Sequence, residues 1–290
     1  MHHVTHVPLA GAFGGGGLFG IGYAMGVLDG LRDQGIDLST APMIGTSAGS
    51  WAASATALGV GFDQLAVIET RGTSDAHLVF YNADGSTSAA CGNATRCIAR
   101  HLMDETGRKQ LTLTTDRGAL LAEDRGAGVT AVNMGQPQLL WHEVPLLHDM
   151  DTLALPIEGA PTATGMGNPH CTFFVDDVAA VDLARRGAEI EHHPLYPQRT
   201  NVQFAQVIAP DHLRMRVWER GVGVTLASGS SSCATAVAAA RRGLTSRQVR
   251  IDLDGGTLNI DWRADGVWMI GTTMHVADGT FTDEFLRSIA

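Results

Sequence analysis

The chain is predicted to be an α/β protein of two pseudo-equivalent lobes behind an N-terminal segment of different character. Three observations carry this expectation. From about Gly59 onward, short strand-like runs are interrupted by only two helical stretches, residues 92–105 and 229–242. Each stretch follows a strand and a polar turn. The two strand–turn–helix units lie roughly 140 residues apart, which reads as an internal repeat.

The strands are expected at 66–69, 78–81, 111–115, 129–134, 171–175, 202–207, 213–218, 249–253, 258–262 and 267–270. Leu213, Met215 and Val217 alternate with Arg214 and Arg216, the period-2 sign of a half-buried strand. In the first helix Ala94, Cys97, Ile98 and Leu102 follow helical spacing, as do Cys233, Val237, Ala240 and Leu244 in and just beyond the second. Asn93 and Ser230 stand where capping oxygens are wanted. The Pro-containing stretch 136–161 is the expected crossing between lobes. The domain reading is therefore residues 1–57 as a separate N-terminal segment, 58–135 as the first lobe with 267–290 returning to it, and 136–266 as the second.

Composition narrows the function. A chain of 290 residues, 44% hydrophobic and 17% charged, can bury a core. The net charge of −10 comes with no block of Lys or Arg, which argues against nucleic acid and anionic membrane surfaces, since both need clustered cations. A small polar substrate fits better. Cys91, Cys97, Cys171 and Cys233 show no C-x-x-C spacing, so neither zinc nor a disulfide framework is expected, and reduced thiols in a cytoplasm are the default. Residues 9–28 carry no charge but hold eight glycines, a poor helix, and no Lys or Arg precedes Arg32, so neither a signal peptide nor a membrane span is read there.

The chemistry concentrates at the two helix mouths, Cys91-Gly92-Asn93 and Ser228-Gly229-Ser230. The first backbone N–H groups of a helix, with the positive end of its dipole, can hold an anion such as a carboxylate. A thiol placed there gains thiolate character and becomes a usable base. The bland alternative for Cys91 is a small core residue, but it lies outside the apolar stripe. Cys97, Cys171 and Cys233, among apolar neighbours, are read as core. Further polar residues gather at element ends: Gln64, Asn82, Asn168, His170, Asn201, Glu219 and Arg220. Singly, such residues are ordinary turns. Beside two helix mouths they become candidates for the ammonium and carboxylate groups of a zwitterion. His192-His193 reads as a solvated loop, and no metal site is expected.

Gly61-Phe62-Asp63-Gln64-Leu65, Asn82-Ala83-Asp84-Gly85-Ser86, Cys91-Gly92-Asn93, Gly167-Asn168-Pro169-His170, Arg199-Thr200-Asn201-Val202 and Trp218-Glu219-Arg220-Gly221 resemble, in order and spacing, the diaminopimelate epimerase family over about residues 59–280. The resemblance implies two lobes of mixed or antiparallel sheet, each wrapped around a central helix, with the site in the cleft between them. It also implies a cofactor-independent, lysine- and peptidoglycan-pathway enzyme in which two cysteines on opposite faces of the α-carbon exchange a proton. Cys91 matches the first cysteine, and the second position is Ser228. Gln64, Asn82, Asn168, Asn201, Glu219 and Arg220 match substrate contacts. Gly92, Asn93, Gly229 and Ser230 match the cradle of the α-carboxylate, and His170 matches a residue beside the catalytic pair.

Two departures follow. Ser228 replaces a thiol with a far weaker acid, which would impair turnover. The family's opening strand is absent, leaving an edge that would invite association, for instance as a homodimer. Residues 1–57 resemble instead the start of a patatin-like phospholipase, with Gly14–Gly17 as an oxyanion loop and Ser47 in Gly45-Thr46-Ser47-Ala48-Gly49 as nucleophile. Serine acyl hydrolysis is thus one alternative function, and substrate binding without turnover another.

Overall fold

The computed structural model describes residues 9–13, 43–45, 64–69, 74–82, 87–88 and 91–277. In chain order the elements are β1 (Leu9–Phe13), β2 (Met43–Gly45), β3 (Gln64–Glu69), β4 (Ala76–Asn82), β5 (Thr87–Ser88), α1 (Gly92–Thr106), β6 (Gln110–Thr115) and β7 (Gly118–Asp124). There follow β8 (Val129–Asn133), β9 (Thr162–Gly165), β10 (Pro169–Phe174), α2 (Leu183–Glu191), β11 (Asn201–Ala209), β12 (His212–Glu219) and β13 (Gly223–Thr225). The chain ends through α3 (Gly229–Arg241), β14 (Gln248–Leu253), β15 (Gly256–Arg263), β16 (Gly266–Thr272) and β17 (Met274–Ala277). No helix among the described residues is long and apolar enough to cross a membrane.

Two compact units divide the chain. The first holds the described residues up to Thr130 together with Thr272–Ala277, and the second holds Ala131–Gly271. The expected boundaries were 135/136 and 266/267. They move because the end of β8 is tied to β16: Met134 N–H donates to the Val267 carbonyl at 2.8 Å, and Val267 N–H to that of Gly135 at 2.9 Å.

Each unit is built on one topological plan. In the first, β3 pairs antiparallel with β4, whose far edge is divided: Ala76 and His77 run parallel to β6, while Phe80 and Tyr81 run antiparallel to β5. In the second, β11 pairs antiparallel with β12, whose far edge is divided in the same way: His212–Arg214 run parallel to β14, while Val217–Glu219 run antiparallel to β13. Hairpins β6–β7 and β14–β15 complete the two sheets. The internal repeat read from sequence is therefore a repeat of strand pairing.

Strands form where side chains alternate between core and water. Leu213, Met215 and Val217 of β12 are buried while Arg214 and Arg216 are half-exposed. All ten expected strands overlap observed ones. Strand β7 escaped prediction because Leu120-Leu121 breaks the visible alternation; only Leu120 and Ala122 point inward, and Leu121 is exposed. Helix α2 escaped because Gly187 interrupts it. It is capped by Asp182, whose carboxylate accepts the Arg185 N–H at 3.2 Å, and its glycine is a packing requirement, since a Cβ there would lie 2.5 Å from Trp218 Cγ.

At the N-terminus the structure corrects the expectation of an open edge. Leu9 and Ala10 of β1 pair antiparallel with Val67 and Ala66 of β3, and β1 in turn runs parallel to β2, which pairs with β17. These pieces of the segment 1–57 belong to the first unit's sheet, and association through an unpaired β3 has no basis. Gly14–Gly17 and Ser47 lie outside the described residues.

Helix α1 buries Ala94, Cys97, Ile98, Ala99 and Met103 and stops at Gly107, whose left-handed φ of 69° lets its N–H reach the Met103 carbonyl. Helix α3 is buried almost all round, which explains a sequence of small residues in place of an amphipathic stripe. Against α2, Phe173 and Phe204 stack at 4.9 Å between centroids, in a cluster with Val144, Leu155, Leu183, Ile190 and Val202.

Truncating Phe204 to Ala should cost about 3–5 kcal/mol of stability, read as a lowered urea midpoint; a loss below about 1 kcal/mol would show that this cluster is not the core of its unit. A second expectation concerns Asp124, held down to about 2 from 3.8 by hydrogen bonds from Lys109 and the Gly126 N–H, with Arg100 adding to them. A depressed carboxyl stabilises the fold above its unfolded value and loses that contribution as pH falls through the folded one. The stability gap between the parent and Asp124→Asn should therefore be open at pH 7 and close as pH falls from about 4 towards 2. Urea unfolding across that window measures it, and a gap independent of pH would contradict the assignment.

Candidate active site

The two helix mouths are the same device. Cys91 precedes α1 with extended backbone, φ −138° and ψ 104°, and its carbonyl accepts both the N–H and the hydroxyl of Thr95, at 2.9 and 2.8 Å. Ser228 precedes α3 at φ −146° and ψ 123°, and its carbonyl accepts the N–H and hydroxyl of Ser232, at 3.1 and 2.7 Å. A hydroxyl four residues on thus holds each cap residue through its carbonyl, and neither the Cys91 nor the Ser228 side chain caps its helix. Neither first turn holds an acidic residue that would answer the positive helix end from within.

In the first unit, Gly92 and Asn93 open α1, with Asn93 buried and Cys91 half-buried. Gln64 and Asn82 are register partners at one end of the β3–β4 pair; their side chains lie outside the description.

In the second unit, Ser228 is buried, and its hydroxyl donates to Glu219 Oε2 at 3.0 Å while the Thr225 hydroxyl donates to Oε1 at 2.6 Å. A carboxylate in hydrogen-bond contact with an alcohol can take that alcohol's proton as the alcohol takes another. Gly229 is buried and Ser230 half-buried in the first turn of α3. Asn201 is a bracket: its amide donates to the Pro169 carbonyl at 2.9 Å and its carbonyl accepts the Arg220 N–H at 3.0 Å, joining the Asn168 loop to the Arg220 turn. The Arg220 guanidinium reaches the Gln198 carbonyl at 3.0 Å. Gln138, His142, Asn168, Gln198 and Arg220 border a pocket of about 330 Å³ in this unit.

His170 is fully buried, with Nε2 2.8 Å from Asn168 Oδ1 and Nδ1 3.1 Å from Gln203 Nε2. Because the Gln203 amide nitrogen only donates, Nδ1 accepts, and the ring carries its proton on Nε2, directed at Asn168. The tautomer follows from this assigned amide orientation, in which Gln203 Oε1 accepts from Thr172 and Nε2 also donates to Ser231.

Gln203 is one of the residues sequence reasoning missed. It sits two positions after Asn201 on β11, and a second polar residue on the same strand face was the available signal. Glu191, a buried carboxylate on α2, gave no signal, because Glu in a helix reads as solvated. Gln138, whose Oε1 accepts the Gly167 N–H at 2.8 Å, lies in the stretch read as a crossing. The remaining cysteines are core: Cys97, Cys171 and Cys233 are buried, and burial pushes the Cys171 thiol up to about 12.

Solved structures share this architecture. They include a predicted epimerase from Pseudomonas aeruginosa, 13% identical with a TM-score of 0.56 over 94% of this chain and 93% of that one. Another is a probable proline racemase from Agrobacterium radiobacter, 14% identical with a TM-score of 0.55 over 78% and 77%. The protein thus has an epimerase-type α/β fold with a helix mouth headed by Cys91 in one unit and by Ser228 in the other. The model of the diaminopimelate epimerase family matches residues 44–140 and 162–276. Relatives named diaminopimelate epimerase include that of Rhodospirillum centenum, 46% identical over 93% of this chain and 92% of its own, and that of Acidiphilium cryptum, 48% identical over 76% and 82%. The chain belongs to the diaminopimelate epimerase family. The family match begins inside the segment set apart as 1–57, and the R. centenum match extends well into it, so the patatin resemblance gains no support.

The half-buried Cys91 should be the first thiol alkylated by brief iodoacetamide treatment at pH 8, with Cys171 untouched because burial keeps it protonated. Peptide mapping reads the order. Equal labelling of Cys91 and Cys171 would remove the case for an accessible, activated thiol at the mouth of α1.

Proposed function

We propose that this chain is a cofactor-independent epimerase of LL- and meso-diaminopimelate that uses Cys91 on one face of the α-carbon and Ser228, backed by Glu219, on the other. The observation that carries the reading is the hydrogen bond from the Ser228 hydroxyl to Glu219, at the helix mouth equivalent to that of Cys91. Family membership and the matched motifs supply the substrate class. The mouths of α1 and α3 would hold the substrate's α-carboxylate and stabilise the charge that develops on it as the α-proton leaves.

In one direction the α-proton passes to Ser228 Oγ as the Ser228 proton passes to the Glu219 carboxylate, and the Cys91 thiol protonates the carbon from the opposite side. In the reverse direction the Cys91 thiolate takes the proton, and Glu219 returns its own through the Ser228 hydroxyl. Proton balance is kept in both. The serine is the weak point, since an alcohol is a far poorer acid and base near neutrality than a thiol. The reading therefore includes slow turnover, with binding nearly intact.

Proton NMR of diaminopimelate in D2O reports exchange and inversion together. The parent should exchange the α-proton from the Cys91 face faster than it inverts the centre. Ser228→Cys should raise inversion on the order of 10²–10⁴-fold, the usual contribution of a positioned acid–base group. No gain in a variant that still binds diaminopimelate would refute the two-base mechanism for this chain. The alternative through Ser47 predicts ester hydrolysis that disappears in Ser47→Ala; under the epimerase reading, that substitution leaves exchange and inversion unchanged.

A further inference from the structure

We propose that Glu191 is a positioning residue for substrate: its buried carboxylate holds the Trp218–Gly221 turn in the shape that presents Glu219 and Arg220 to the ligand. The inference rests on the epimerase reading above. The Glu191 side chain is 3% exposed and stands at the C-terminal end of α2. Every contact it makes is with a donor: Trp218 Nε1 at 2.6 Å, the Gly221 N–H at 2.9 Å and the Arg199 guanidinium at 3.4 Å. Its backbone carbonyl accepts the Thr200 N–H at 3.3 Å, next to Asn201.

The turn is held amide by amide. Asn201 takes the Arg220 N–H, Glu191 takes the Gly221 N–H, and the Val222 N–H closes on the Glu219 carbonyl at 3.0 Å. Gly221 sits at φ 77°, the left-handed region a glycine can enter without a Cβ clash. The helix that delivers Glu191 is seated by Gly187 against the root of the Trp218 side chain, so Trp218 is gripped at its Cβ by Gly187 and at its indole N–H by Glu191. Glu219 and Arg220 follow Trp218 directly and share its placement.

The chemistry requires a carboxylate. Two N–H donors point at two different oxygens of a buried carboxylate, and an amide has one acceptor and one NH2 group. Glu191→Gln would therefore set the NH2 against either Trp218 Nε1–H or the Gly221 N–H, donor against donor, and lose that hydrogen bond. Glu191→Asp keeps both acceptors on a shorter stem and should be intermediate. Glu189→Gln, on the exposed side of α2, serves as the control.

The test uses the full chain, as parent and with Ser228→Cys to raise turnover. Glu191→Gln should speed hydrogen exchange at the Arg220 and Gly221 amides and raise KM for diaminopimelate, each on the order of tenfold, with a smaller change in kcat. Amides of α3 should stay protected. Glu191→Asp should recover part of both losses and also covers the case in which the Gln variant does not fold. Unchanged exchange at Gly221, or faster exchange with an unshifted KM, would overturn the inference while leaving the epimerase reading standing. Absence of both binding and turnover in the parent and in Ser228→Cys would instead refute the epimerase reading, and the role of Glu191 at substrate with it.

Discussion

In each unit a strand changes partners partway along one edge, and the proposed proton carrier stands a short way beyond it. Strand β12 gives its first half to β14 and its last to β13, and the chain then enters α3 at Ser228, whose hydroxyl meets Glu219 at the end of that same strand. Strand β4 divides between β6 and β5 in the same way, shortly before Cys91 and α1. Ligands in open α/β sheets gather where strand neighbours diverge, because backbone groups and helix ends are exposed there together. Here the divergence occurs twice, and each time a proton-carrying side chain stands at a helix start.

The polar residues behind these mouths are ordered by satisfaction of buried donors and acceptors. Asn201, Glu191 and Gln203 each bond at least two groups that are distant in sequence, and a buried polar group left unpaired costs more than a formed bond returns. That asymmetry fixes the amide of Asn201, the turn at Gly221 and the tautomer of His170 without any contact from ligand. If substrate binds here as proposed, a site assembled this way is organised before it arrives, and less of the binding energy is spent on ordering it.

Under the proposed mechanism, a hydroxyl in place of a thiol at Ser228 changes the chemistry at a helix mouth whose frame matches that at Cys91. The cap geometry there matches that at Cys91 almost torsion for torsion, and Ser232 performs the duty that Thr95 performs at the other mouth. In the proposed mechanism a single atom would therefore alter proton transfer while the backbone at the helix mouth keeps its geometry. The two helix mouths are alike in backbone geometry and differ in the group they carry, a thiol at Cys91 and a hydroxyl at Ser228.

Periodicity and local motifs made the strands, the two central helices, the internal repeat and the helix mouths legible in the sequence, because each depends on neighbours within a few residues. Only the tertiary structure placed β1 on β3, paired β7 despite its consecutive leucines, and folded α2 around a glycine that exists to accommodate Trp218. Glu191 and Gln203 belong to the same class. Nothing adjacent to them in the chain marks them, since their partners lie some 30 residues away and are brought within hydrogen-bond range by strand register and helix packing. The sequence by itself determined which groups could carry a proton or hold a carboxylate. The fold decided which buried side chains aim them, because that depends on who meets whom after the sheets have formed.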